Sequence, residues 1–570
     1  MANIFEQADD ALASLFSQWD IYTIILTLTI TGFVAHSFLT ATEPDIHPMI
    51  LSRQSYADRV RNPGESAVYR SMDAPHGTSL RTGLAVRLPT DKPYSAGRDG
   101  DLRYIWMAAT GKIQPPKSRA TTQAEFKPGK ITTVLGREQL VDHNIQETDK
   151  EVMVLGNHLT HQGRKRVAVY LPNSIEFLSS IFACSFYGLS VILIPFNQPQ
   201  PLVIEFLKQT KADALIAAAG SLPLESLAKE YPALKAVVWV VEKTSRHMDW
   251  TDVPSGLGGS IDVAVWHELV QDHQGDAPSD PGLETKDLGS IVTIWQPEPL
   301  KPGSVVEFTH RNFAAAIAAL IAALPSRERI NGSDLFFAAD AWTNTYTLCQ
   351  TFAAMWSGAS LAISSVAGPE VDLTFAAKNI APTVVVSSSE SIAKLHAAAS
   401  STVQSGLAKL SHSSQVSSLS AGTMPAASFL SNISGATKAS IGSTPGTLRL
   451  LLISEEAGST SPPISARELN DIRIFTGARV VYALTAAPVA GAVAQTNMFD
   501  YRVDDSTSTR SHFGPPVSSL EVKLVDSGSH KTTNDSIAGE IVVTGPSVVD
   551  SSARLGVMGT FRDDCTLAFA

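Results

Sequence analysis

An α/β fold with parallel sheets is what the sequence predicts, and three observations predict it. Short apolar runs alternate with helix-period segments from Arg166 onward, the 570 residues are 44% hydrophobic and 17% charged, and Gly or Pro punctuates the joins. That balance belongs to a folded chain with a substantial core.

Residues 1–20 form a short N-terminal tail. Residues 21–41 carry no charged side chain, about the length needed to cross a hydrocarbon core as a helix. Trp19 and Tyr22 at its entrance suit an interfacial belt, so a retained transmembrane anchor is expected, and the bare alternative is a buried core helix diluted by five threonines and His36. No Lys or Arg precedes Arg53, so the basic start of a secretory signal is missing. Asp9, Asp10 and Asp20 precede the segment and Arg53, Arg59 and Arg61 follow it, which predicts a single-pass membrane protein with its large domain in the cytosol.

Residues 42–130 are rich in Pro, Gly, Arg and Asp, with turn signals at Asn62-Pro63-Gly64 and Pro75-His76-Gly77, and read as an irregular lead-in. Beyond it the run 167–171 reads as a buried strand, and Pro172-Asn173-Ser174 opens a helix with Leu178, Phe182 and Phe186 on one face, stopped by Gly188. A strand at 191–194, a helix over 203–211 and a strand at 214–218 follow. From Ser387 to Thr447 the composition turns to Ser, Ala, Thr and Gly, which predicts a flexible insertion, with a phosphorylated regulatory loop as the functional alternative.

The formal charge of −11, from 44 Lys+Arg against 55 Asp+Glu, provides no basic field, so no nucleic-acid partner is expected. Cys184, Cys349 and Cys565 lie far apart among apolar or small residues, which suggests neither a disulfide framework nor a zinc cluster.

The stretch V-A-V-Y-L-P-N-S-I-E-F-L-S-S-I-F-A-C-S-F-Y-G-L-S-V-I-L-I-P-F-N from Val167 resembles the opening of an adenylation domain of the adenylate-forming (ANL) superfamily, as in AMP-forming acyl-CoA synthetases. W-S-G-A-S-L-A-I from Trp356, F-G-P-P-V from Phe513, E-V-K-L-V-D from Glu521 and A-G-E-I-V-V-T-G-P from Ala538 extend the likeness. It implies an ANL-type domain over 131–570, with parallel sheets and a distorted β-barrel-like portion. It also implies ATP, magnesium and CoA as cofactors and a fatty acid or other acyl ligand.

The motifs that hold nucleotide in this superfamily are altered. At 291–312 the phosphate loop resembles T-S-G-T-T-G-x-P-K-G only at its end, Val306 and Thr309-His310-Arg311-Asn312. Pro297, Pro299 and Pro302 have no N–H to donate and Glu298 repels phosphate, although Lys301, Gly303 and Ser304 could be displaced remnants. The Y-G-x-T-E motif is Tyr482-Ala483-Leu484-Thr485-Ala486, which keeps the ring and the hydroxyl but loses the magnesium-binding Glu. Tyr482 is either a retained purine contact or a core aromatic. Ser454, Glu455 and Glu456 occupy the adenine-binding turn, and Val557 falls where the family places its ribose-binding Asp. By the resemblance the hinge to the family's mobile C-terminal domain would begin at about Ala570, so a protein without that lid domain and its catalytic lysine is expected. By the same resemblance Trp342, Tyr346 and Phe352 are acyl-pocket candidates, against ordinary helix core.

These substitutions predict a membrane-anchored, catalytically degenerate acyl-CoA synthetase-like protein, acting as a scaffold or ligand-binding module, with no cofactor expected. The alternative is a divergent long-chain fatty acid-CoA ligase that uses ATP, magnesium and CoA with a lid domain supplied in trans.

Overall fold

A computed structural model of the chain describes residues 20–40, 43–88, 91–92, 94, 97–116, 126–135, 139–241, 261–272, 281–283, 287–425, 441–503, 510–534 and 536–570, with backbone alone at 33, 35–40, 135 and 139. The tail 1–19 expected from the sequence lies outside the described residues.

The strands nest along the chain. β1 (Ser55–Ala57) and β2 (Tyr69–Ser71) come first, then the hairpin β3 (Ile131–Leu135) and β4 (Gln139–His143). A seven-stranded sheet follows from one continuous stretch: β5 (Arg166–Tyr170), β6 (Ser190–Leu193), β7 (Ala214–Ala218), β8 (Ala236–Val240), β9 (Asp262–Val265), β10 (Ile291–Trp295) and β11 (Ser304–Phe308), ordered β11-β10-β6-β5-β7-β8-β9. Next, β12 (Leu335–Ala338), β13 (Ser360–Ser364), β14 (Val384–Ser388), β15 (Leu450–Glu456), β16 (Arg479–Thr485) and β17 (Ala494–Gln495) join β3 and β4 in an eight-stranded sheet, ordered β17-β16-β15-β14-β12-β13-β3-β4. Finally β18 (Glu521–Val525), β19 (Ala538–Thr544), β20 (Ser552–Phe561) and β21 (Leu567–Phe569) close on β1 and β2 as an antiparallel six-stranded sheet.

The predicted α/β rhythm is present, with β5, β6 and β7 parallel and within a few residues of the expected runs. The helix Ile175–Tyr187 begins where Ser174 accepts a hydrogen bond from the Phe177 N–H and ends at Gly188, whose φ of 69° favours glycine. Its apolar face enters the main core, as read from Leu178, Phe182 and Phe186. The barrel-like portion is the six-stranded sheet, which curls until its two edges meet: Gln54 N–H donates to Asp564 O at 2.8 Å and Ser55 Oγ to Cys565 O at 2.5 Å.

Two expectations are corrected. The lead-in is an integral part of the fold, because β1 and β2 complete the barrel and the helix Leu102–Ala109 buries Leu102, Ile105 and Trp106. Trp106 packs on Phe182 at 4.7 Å and donates its indole N–H to Asp149 at 2.8 Å. Short edge strands that pair with partners more than 400 residues away leave no local periodicity to read. The serine-rich segment likewise holds two helices, Ser389–Ser400 and Gly406–Ser420, while 426–440 lies outside the described residues. Its serines serve as caps: Ser388 accepts from the Ser391 N–H and Ser405 from the Ala408 N–H.

At the N-terminal end Ile21–Thr40 is a 20-residue helix. Among the described residues no helix is long and apolar enough to cross a membrane.

Candidate functional site

Strands β14, β15 and β16 run parallel and in register, so their carboxyl ends open together at one edge of the eight-stranded sheet. Ligands of open α/β sheets bind outside such ends. Here β15 leads into the turn 458–463, and that turn, Glu455, Glu456, Arg510, Val557, Met558, Phe569 and Ala570 line an open cavity of about 540 Å³. One wall is thus the parallel sheet and the other is the β20–β21 end of the barrel.

The sheet wall is acidic. Glu455 accepts a hydrogen bond from the Tyr482 hydroxyl at 2.6 Å, and its backbone carbonyl accepts one from Thr485 Oγ1 at 2.9 Å. Burial pushes the Glu455 carboxyl up to about 7. Glu456 accepts from Asn344 Nδ2 at 3.1 Å, and burial, reinforced by the charges of Asp340, Glu390 and Glu455, pushes it up to about 8. Burial also raises Asp340 to about 6, despite hydrogen bonds from the Ala341 N–H and the Thr347 hydroxyl. Burial and neighbouring like charge raise all three, so that Glu456, the highest, is the one mainly protonated at neutral pH.

The predicted nucleotide-site residues divide into two groups. Ser454, Glu455, Tyr482 and Thr485 come together, but only Glu455 faces the cavity. The Tyr482 ring is fully buried and packs against Phe513 at 5.0 Å, and its hydroxyl bridges Glu455 and the Ile464 N–H. That favours the core-aromatic reading over a purine contact. Ser454 is buried and donates to the Ser387 carbonyl at 3.4 Å.

Gly303 and Ser304 stand apart from the cavity, as does all of 291–312. That segment is an antiparallel hairpin of β10 and β11. Inside its turn Gln296 Nε2 donates to the Lys301 carbonyl at 2.6 Å, and the Lys301 ammonium pairs with Glu298. A Cβ on Gly303 would lie 2.6 Å from the Trp295 carbonyl oxygen, so the glycine serves strand crossing. Gly303→Ala is therefore expected to cost about 1–3 kcal/mol in chemical denaturation while leaving ligand affinity at the cavity unchanged.

The best-preserved part of the loop has a structural role. Thr309 and Asn312 form a reciprocal capping box on the helix His310–Ala323, and Asn312 Nδ2 donates to the carbonyls of Pro546 (2.8 Å) and Val548 (3.1 Å). His310 is buried and its imidazole is pushed down to about 4 by that burial.

The acyl-pocket candidates are core. Trp342, Tyr346 and Phe352 are fully buried, Trp342 donates its indole N–H to Thr351 Oγ1 at 2.9 Å, and none lines the cavity. Phe352 on the helix Thr345–Trp356 packs against Phe182, and Trp342, just before that helix, packs against Phe177. Reasoning from the sequence missed Asp340, Asn344 and Glu390. Asn344 caps that helix through Tyr346 N–H, a pattern legible as a helix start, but its second contact, to Glu456, is not.

Fold and site together define a protein of the adenylate-forming class, with paired α/β sheets, a curled barrel and a cavity at their junction. The chain belongs to the AMP-binding enzyme family, which it matches over residues 121–280 and 305–551. No curated protein sequence matches it. Among solved structures it is similar to a long-chain-fatty-acid-CoA ligase (FadD1) from Archaeoglobus fulgidus, at 14% identity and a TM-score of 0.56, covering 85% of this chain and 86% of that one. It is also similar to the N-terminal domain of FACL13 from Mycobacterium tuberculosis, at 12% identity and a TM-score of 0.55, covering 83% and 100%. The anthranilate CoA ligase AuaEII, solved with anthranoyl-AMP, matches at 13% identity and a TM-score of 0.53, covering 82% and 76%. At these identities the likeness is one of fold.

Proposed function

We propose that this chain uses the adenylate-forming fold as a scaffold or ligand-binding module, without forming an adenylate. The observation that carries the reading is the cavity wall, which offers the proton-retaining carboxyls of Glu455 and Glu456 beside the apolar Val557. Phosphoryl chemistry needs cations and N–H donors aimed at developing negative charge. Carboxyls that ionise on contact with solvent would repel a triphosphate instead. The hairpin at 291–312 supports the same reading, since its lysine pairs within its own turn, and residues 281–304 fall outside the family match. Arg510 is a cation on this lining, but with raised carboxyls beside it and Ala486 and Val557 where oxygen ligands would be needed, these residues do not fit ATP and magnesium.

The cavity volume suits a small acyl molecule in a neutral form, with Met558, Val557 and Phe569 for its apolar part. A second reading, AMP-forming acyl-CoA ligation with a lid domain from another chain, is favoured by the family match and the likeness to CoA ligases.

Calorimetric titration of the purified full chain separates the two. With ATP and magnesium no micromolar binding is expected, while a fluorescent fatty acid should bind without nucleotide. Pyrophosphate exchange dependent on a long-chain fatty acid would sink the first reading in favour of the second.

A further inference from the structure

Over its described side chains the helix Ile21–Thr40 has no amphipathic face. Ile21, Ile24, Ile25, Leu26, Ile30 and Val34 are all exposed, and at about 100° per residue they point to every side of the axis. A helix that seats in a protein groove presents one apolar stripe, whereas lipid solvates all sides equally. Two of its threonine hydroxyls bond back to its own backbone. Thr27 Oγ1 donates to the Thr23 carbonyl and Thr29 Oγ1 to the Ile25 carbonyl, both at 2.7 Å, as a medium without water requires.

The chain then re-enters the globular part through a second exposed surface. Met49 (75%), Ile50 (55%), Tyr56 (40%) and Val60 (56%) are exposed, and Arg53 and Arg59 are exposed between them. Arg53 lies over the Tyr56 ring at 5.8 Å, a cation on an aromatic face. Exposed apolar side chains alternating with arginines match the boundary between acyl chains and anionic headgroups. This surface includes β1, the edge strand of the barrel sheet.

We infer that the apolar helix residues 21–34 embed in the acyl region of a lipid bilayer and that residues 49–61 form a foot resting on anionic headgroups, so the side of the barrel that carries β1 faces the membrane. The occupant is lipid and not a partner protein.

Cell-free synthesis of the full chain with protein-free vesicles tests this. Wild type is expected to float with phosphatidylcholine vesicles and to resist alkaline carbonate, and Ile25→Asp/Leu28→Asp to lose that resistance. The Asp variant should still float with phosphatidylserine vesicles at low salt. Adding Arg53→Glu/Arg59→Glu should cut that recovery by at least about tenfold, from a contribution of roughly fivefold per arginine. Thermal melting of each variant confirms that the globular part is folded. Carbonate extraction of wild type, or recovery on native microsomes but not on protein-free vesicles, overturns the embedded helix. Equal recovery with and without the arginines overturns the foot.

Discussion

Replacing Trp342 with alanine is expected to remove about 3–5 kcal/mol of folding stability, the largest effect of any single truncation considered for this chain. The indole is fully buried, packs on Phe177 at 5.7 Å and donates its N–H to Thr351 at 2.9 Å. Truncation thus opens a cavity and removes the donor to Thr351 Oγ1, whose hydroxyl keeps its own bond to the Thr347 carbonyl. Guanidinium denaturation followed by far-UV circular dichroism measures the loss. Fatty-acid affinity of the folded fraction should be unchanged, because the residue does not line the cavity. A loss below about 1 kcal/mol together with abolished acyl binding would restore Trp342 to a binding role.

Stability should also fall as pH rises from about 6.5 to 8. Glu455 and Glu456 titrate at about 7 and about 8 in the fold, above the ordinary glutamate value. In that window the folded chain holds protons that the unfolded chain has released, so raising pH favours unfolding. Their stabilising effect is complete below the unfolded value and is lost as pH passes the folded values. Buried His310 and His512, each pushed down to about 4 by burial, act with the opposite sign, between about 4 and 6.5, and are neutral in both states above it. Asp500, opposed by burial but held down to about 2 mainly by its hydrogen bonds with Arg502, is lost only in acid. The slope should approach about 1.4 kcal/mol per pH unit for each excess proton. Glu456→Gln keeps an acceptor for Asn344, removes one titration and should raise stability at pH 8 by more than about 1 kcal/mol. A flat profile from pH 6.5 to 8 in wild type would show that these carboxyls are ionised in the fold.

Both effects arise from tertiary placement, and the sequence discloses them unevenly. The alternation that predicts β5, β6, β7 and the helix Ile175–Tyr187 is local, because each element's apolar period is written within its own residues. The capping residues Ser174, Asn344 and Ser388 are local in the same way. The lead-in was illegible because β1 and β2 gain their partners from β18 and from the turn at Asp564. The helices at 389–420 were hidden by a serine content that suits caps and buried hydroxyl bonds as well as it suits loops.

At the site, the residue types at 454–456, 482–486 and 557 are visible in the chain, as is the proline-rich turn after β10. Their meaning depends on distance. Thr309 and Asn312 resemble the end of a phosphate loop, yet in the fold they cap a helix and tie it to Pro546 and Val548. Tyr482 resembles a purine platform and is instead buried against Phe513. The sequence alone determined the α/β class, the places of β5, β6 and β7 and the identity of the altered motifs, since these depend on short-range periodicity and residue type. Only the tertiary structure decided that Asp340, Glu455 and Glu456 are buried close together beside a cavity, within reach of the charge of Glu390. Proton affinity depends on the summed field and burial from segments more than 100 residues apart, which no local pattern encodes.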